Sequence, residues 1–110
     1  MIDLPEVLEA LRAVVAEKGA DYVYPEETCQ YAIDGAPACI VGHVYARFGL
    51  LDEQTQYSIG KASLLHRYEI ARPARLVLQV AQVVQDGEYP PFVRGTWGEA
   101  LAAAEAEAVR

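Results

Sequence analysis

Positive charge is scarce in this chain of 110 residues: nine Lys and Arg stand against sixteen Asp and Glu, a formal charge of −7 with histidine neutral. Such a field repels a phosphate backbone unless a local basic patch overrides it, so nonspecific nucleic-acid binding is disfavoured. Long apolar runs are missing as well. The longest, around Cys39, Ile40, Val41 and Gly42, is broken by His43 and Arg47, far short of the roughly 20 residues of a membrane span. The opening residues carry acids where a secretory leader carries bases, so no export signal is expected and a cytoplasmic protein is the default. Neither the G-x-x-x-x-G-K nor the G-x-G-x-x-G phosphate fingerprint occurs, and there is no internal repeat or polar low-complexity tract.

What is present suits one globular domain spanning residues 1–110, with 53% hydrophobic and 23% charged residues. Net charge is uneven, at −6 over residues 1–35, +2 over 36–85 and −3 over 86–110. Solvated helix faces produce such an asymmetry, and so does a surface for self-association or a charged partner.

Leu4, Val7, Leu8, Leu11, Val14 and Val15 recur at helical spacing, with Asp3 and Glu6 placed as a capping box and Gly19 as the stop. Next, Tyr22–Tyr24 and Cys29–Ile33 read as two short extended runs joined through Pro25–Thr28, a small β-hairpin between helices 1 and 2. Tyr22, Tyr24 and Tyr31 gather ring surface there. They either lid the core or form a partner-binding surface, since Tyr is enriched at interface hot spots.

Asp34-Gly35 signals a turn, and Pro37 suits the first turn of a helix over residues 38–48 that is apolar nearly all round and therefore central. Gly42 inside it costs about 1 kcal/mol against alanine, which points to a close backbone approach. Short helical turns are expected after Asp52 and over Lys61–Arg67. From Arg72-Pro73 a helix runs to Gly87 with Leu76, Val77, Val80, Val83 and Val84 as its apolar stripe, and with Gln79, Gln82 and Gln85 lying away from it. The segment EYPPFVRG makes a stiff connector. Thr96 and Glu99 then cap a last helix in which Trp97 anchors an Ala-rich face. The expected fold is mainly α: a compact domain of four principal helices with the small hairpin.

Two cysteines and two histidines, Cys29, Cys39, His43 and His66, match the count of one tetrahedral zinc site, but only Cys39 and His43 stand one helical turn apart. Cys39 and His43 also suggest a nucleophile and base, because a helix N-terminus favours thiolate. Against both readings, a helix this apolar points Cys39 inward, where burial makes a thiol inert. A Cys29–Cys39 disulfide conflicts with a reducing cytosol. Glu26-Glu27 and Asp52-Glu53 read as solvated turns, and Arg67, Arg72 and Arg75 as a helix start rather than a phosphate site.

Asp34, Gly35, Pro37, Cys39, Ile40, Val41 and Gly42, with Trp97, Gly98, Glu99, Ala100 and Leu101, form a D-G-x-P-x-C-I-V-G turn-helix and a late W-G-E-A-L helix. This pattern resembles small uncharacterised proteins encoded by actinobacterial phages and their hosts, and the likeness covers somewhat under half the chain. The resemblance implies a phage-related accessory role and carries no catalytic residue with it. The expectation is a noncatalytic protein-interaction module, self-associating as a homodimer or holding a protein partner, without cofactor. The alternatives are a small enzyme using Cys39 and His43, a zinc-binding domain, or an acidic mimic of nucleic acid.

Overall fold

Helix α1 (Leu4–Lys18) starts on a complete capping box: Asp3 Oδ1 accepts from Glu6 N (3.0 Å) and Glu6 Oε2 accepts from Asp3 N (3.3 Å). It buries Val7, Ala10, Leu11, Val14 and Val15. The computed structural model describes residues 1–51 and 67–110, so the helical turns expected after Asp52 and over residues 61–67 lie, except for Arg67, outside the described residues. Just ahead of α1, Ile2 donates to Glu69 O and accepts from Ala71 N, both at 2.8 Å. This short parallel bridge fixes the start of α1 beside the start of α3 (Arg72–Asp86).

The hairpin sits where expected along the chain but uses other strands. β1 (Ala32–Ile33) pairs antiparallel with β2 (Ala36–Pro37) across Asp34 and Gly35, whose φ values of 53° and 80° are those of a two-residue left-handed turn. The expected pairing of residues 22–24 with 29–33 does not form, for a clear reason. The backbone of that first run is bonded to the start of α4 (Trp97–Ala108) instead: Trp97 N donates to Tyr22 O (2.8 Å) and Gly98 N to Ala20 O (2.9 Å).

Pro37 thus belongs to β2 rather than to a helical first turn. The ladder continues through Ala38 N to Tyr31 O (3.0 Å) and Cys39 N to Gln30 O (3.1 Å), and α2 (Ile40–Arg47) begins only after it. Cys39 is the N-cap, its Sγ accepting from Gly42 N at 3.4 Å. The close approach at Gly42 is confirmed: a Cβ there would stand 1.9 Å from Tyr31 O.

In α3 the pattern of apolar residues misleads. Leu76 and Val80 are only half-buried, whereas Gln82 and Gln85, expected to lie away from the core, are completely buried. The helix is covered on more than one side, by α4 most extensively and by α1 and α2 as well. Both polar side chains that enter the core donate to internal partners, although Gln82 Oε1 accepts no hydrogen bond among the described residues. Gln85 Oε1 accepts from Ile40 N (2.8 Å), the first amide of α2, and from Trp97 Nε1 (3.1 Å), while its Nε2 donates to Asp86 Oδ1 (2.9 Å). Gln82 Nε2 donates to Cys29 Sγ.

α4 opens on the second capping box, Thr96 Oγ1 accepting from Glu99 N (3.1 Å) and Glu99 Oε1 from Thr96 N (2.8 Å). Trp97 is fully buried, as its anchoring role requires. Four helices with a small two-stranded antiparallel hairpin between the first two make up the described fold. Among the described residues no helix is long and apolar enough to cross a membrane.

Two substitutions test this packing. Gln85→Leu strands two buried donors, the Ile40 amide and the Trp97 indole, and is expected to lower stability by about 3 kcal/mol in urea unfolding; a change under about 1 kcal/mol would contradict the hub. Gly42→Ala gains helix propensity but drives a methyl group into the Tyr31 carbonyl, so a loss of about 3 kcal/mol is expected rather than a gain.

Candidate functional site

The end of α1, the segment that follows it and the hairpin leave a cleft of about 270 Å³ between them. Lys18, Tyr22, Tyr24, Pro25, Glu26 and His43 supply its functional side chains, and Ile33, Ala36, Pro37 and Ala38 close its apolar side. Each wall follows from the local fold. Bonding of residues 20–22 to α4 carries Tyr22 over Trp97 (ring centroids 4.6 Å, edge to face), and the second turn of α2 brings His43 against the same indole (5.1 Å, edge to face).

His43 Nδ1 lies 3.0 Å from Cys39 O. A carbonyl only accepts, so Nδ1 carries the proton and Nε2 is the acceptor of the neutral ring. Burial depresses the basicity of the ring below its ordinary value of 6.5 and nearby Lys18 adds to this, against the opposing pull of the Cys39 carbonyl and Glu17. At neutral pH the cleft therefore offers a neutral imidazole acceptor. Lys18 Nζ stands 5.3 Å over the Tyr22 ring.

The three tyrosines expected to form a binding surface divide. Tyr22 is half-buried and lines the cleft. Tyr24 is buried with its hydroxyl spent internally, donating to Thr28 O (2.9 Å) and accepting from Gln30 N (3.2 Å); burial above all pushes its pKa up to about 12. Its body still forms part of the cleft wall. Tyr31 is in the core, edge-on to Tyr45 at 5.1 Å, and does not reach the cleft.

Cys39 and His43 share a helical turn but not a cavity. The thiol is fully buried, engaged with the Gly42 amide, and absent from the cleft lining. Cys29 is half-buried and receives the side-chain amides of Gln82 and Gln85, and neither cysteine is in a disulfide. No group of three or more His, Cys, Asp or Glu able to hold a metal ion occurs among the described residues; His66 lies outside them. Arg67 is drawn into an ion pair with Glu69 (3.2 Å) and a bond to Leu50 O (3.3 Å), and Arg75 lies over the Tyr68 ring (5.4 Å), so these arginines meet different partners.

The cleft thus has a cation, a carboxylate, one neutral imidazole and flat aromatic and prolyl walls, and no Cys, Ser or Thr is among its lining residues.

A second feature of this face was not singled out in the sequence. Tyr89, Phe92 and Val93 are 66–70% exposed, all within five residues of the connector between α3 and α4. Phe92 has φ 62°, a left-handed conformation that a bulky side chain rarely adopts. The base of this loop is fixed, with Glu88 N bonded to Val83 O (3.2 Å) and Gly95 N to Val84 O (2.9 Å). Arg94 joins it to the cleft rim through Nη1 to Tyr24 O (2.8 Å) and Nη2 to Glu27 O (2.9 Å). No family model, curated protein or solved structure matches the chain.

The His43 ring is expected to titrate with a midpoint below 6.5 in imidazole NMR spectra. Because the folded ring binds a proton less readily than the unfolded one, stability is full above about pH 6.5 and declines as pH falls toward the folded midpoint. A midpoint at or above 6.5 would mean that the ring is not desolvated against Trp97.

Proposed function

We propose that the protein is a noncatalytic module that recognises a polypeptide, either another protein or a second copy of itself, through the face holding the His43 cleft and the Tyr89–Val93 loop. The observation that carries this reading is the exposure of three large apolar side chains, Tyr89, Phe92 and Val93, in one short loop with a fixed base. A soluble domain gains nothing for its own fold from such a cluster, and clustered exposed aromatics mark contact surfaces. Phe92 strengthens the point. A phenyl ring is held outward on a backbone that asparagine or glycine would occupy at less cost, and strain of this kind gathers at functional positions.

The chemistry of the cleft supports recognition rather than turnover, since no Cys, Ser or Thr side chain lines it beside the imidazole. A phage-related or host accessory protein working in the cytoplasm is the setting that the D-G-x-P-x-C-I-V-G and W-G-E-A-L patterns suggest.

The test is quantitative capture from host extract with the tagged wild type and with Tyr89→Ser/Val93→Ser. The wild type is expected to retain a defined polypeptide, or more of its own untagged copy, at least about tenfold above the double variant, the loss of roughly 1.4 kcal/mol of binding. An identical retained set for both proteins would refute the reading.

A further inference from the structure

We propose that Cys29 is a modification site, oxidised by a hydroperoxide to a sulfenic acid that the side-chain amides of Gln82 and Gln85 hold. The proposal is independent of the recognition reading.

The backbone around Cys29 is fixed on both sides. The Tyr24 hydroxyl donates to Thr28 O (2.9 Å) and accepts from Gln30 N (3.2 Å), so the residues flanking the cysteine are tied to one phenol. Gln30 O in turn accepts from Cys39 N (3.1 Å) ahead of α2, and Glu27 O accepts from Arg94 Nη2 (2.9 Å). Cys29 Sγ is thereby set against α3, where Gln82 and Gln85, one helical turn apart, each direct Nε2 at it, Gln85 from 3.9 Å. The thiol itself donates to the Asp86 carboxylate.

Two observations distinguish this thiol from a packed core cysteine. Cys29 is half-buried, so a small solute reaches it, whereas Cys39 is fully buried. Gln82 is also fully buried, yet its Oε1 accepts no hydrogen bond among the described residues, a costly exception to the pairing of buried polar groups. A thiol has one hydrogen, and here Asp86 takes it. A sulfenic acid carries a hydroxyl. Because Sγ lies against Nε2 of the Gln82 amide, that hydroxyl has Oε1 of the same amide as its acceptor. Gln85 Nε2 places one hydrogen on Asp86 Oδ1 (2.9 Å) and has its second for the sulfenyl oxygen.

The step balances with one oxidant. The thiol proton passes to Asp86, whose basicity burial above all raises, with Glu88 adding to the rise and Gln85 and Arg94 opposing it. Sulfur attacks the hydroxyl oxygen of the hydroperoxide, and the S–O bond forms as the O–O bond breaks. The departing alkoxide takes the proton from Asp86 and leaves as an alcohol, or as water when the oxidant is hydrogen peroxide. Sulfur loses the two electrons that the peroxide gains. The only other thiol of the chain, Cys39, is buried at the N-cap of α2 against Gly42 N (3.4 Å), so it does not condense with the product.

The test treats the full chain with hydrogen peroxide, traps sulfenic acid with dimedone and maps the adducts by mass spectrometry. In the folded chain the adduct is expected at Cys29 at least about tenfold over Cys39, and the side-chain amide resonances of Gln82 and Gln85 are expected to move on oxidation. In urea, where Cys39 is exposed, a Cys29–Cys39 disulfide is expected in place of the sulfenic acid. Gln82→Met keeps the length of the side chain without its amide and is expected to shorten the lifetime of the sulfenic acid at least about tenfold. Three results would each overturn the proposal: Cys29 staying reduced under peroxide that oxidises free cysteine, oxidation that leaves the Gln82 amide resonances in place, or an unchanged lifetime in a Gln82→Met protein that unfolds like the wild type.

Discussion

One side-chain amide joins three helices. Gln85 Oε1, completely buried on α3, accepts both the first backbone amide of α2 and the indole N–H of Trp97 on α4. Helix starts leave amides without intrahelical partners, and a buried indole N–H needs an acceptor. A single carbonyl oxygen with two lone pairs meets both needs where water does not reach. Leaving either donor unsatisfied costs roughly 1–3 kcal/mol, a large share of the stability of a domain this size. By comparison the exposed Arg12–Glu105 pair at 2.9 Å contributes little, because solvent screens it.

The same interaction places the face proposed to bind. Trp97, held by Gln85, is the floor on which Tyr22 and His43 stand edge-on. The imidazole reaches the cleft because the N-cap carbonyl of Cys39 takes Nδ1, and Cys39 is the N-cap because the extended ladder runs on to residue 39 before α2 can start. Hub, helix start and cleft therefore belong to one continuous set of hydrogen bonds. The loop at Tyr89–Val93 differs in kind: its base is bonded to the end of α3, but its tip gives apolar area to solvent. The hydrogen-bonded base and the exposed apolar tip of this loop are the features on which its proposed contact role rests.

Much of this was readable in the residues. Both capping boxes, the Gly42 approach, the anchoring Trp97 and the count of four helices follow from spacing and side-chain chemistry that act locally. Tyr-rich β-propensity places the hairpin strands too early, whereas Asp34-Gly35, a strong two-residue hairpin signal, sets them at residues 32–33 and 36–37. Hydrophobic periodicity places Gln82 and Gln85 away from the core because it cannot see a helix covered on more than one side, nor an acceptor required by residues 45 and 12 positions away in sequence. For the site, Tyr22 and Tyr24 fall on the cleft, but the part played by His43 depends on which of its nitrogens is engaged, a matter of tertiary geometry. The loop's aromatic residues flanking two prolines are visible in the sequence, but the prolines by themselves indicate only a stiff connector.

Hydrogen exchange at the Trp97 indole and the Ile40 amide tests the central role of Gln85 most directly. If one buried carbonyl holds both, the two protons exchange only through global unfolding, with the same free energy as the slowest amides of the α3 and α4 cores. Exchange of either proton through a local opening about 2 kcal/mol or more below that value would contradict the account.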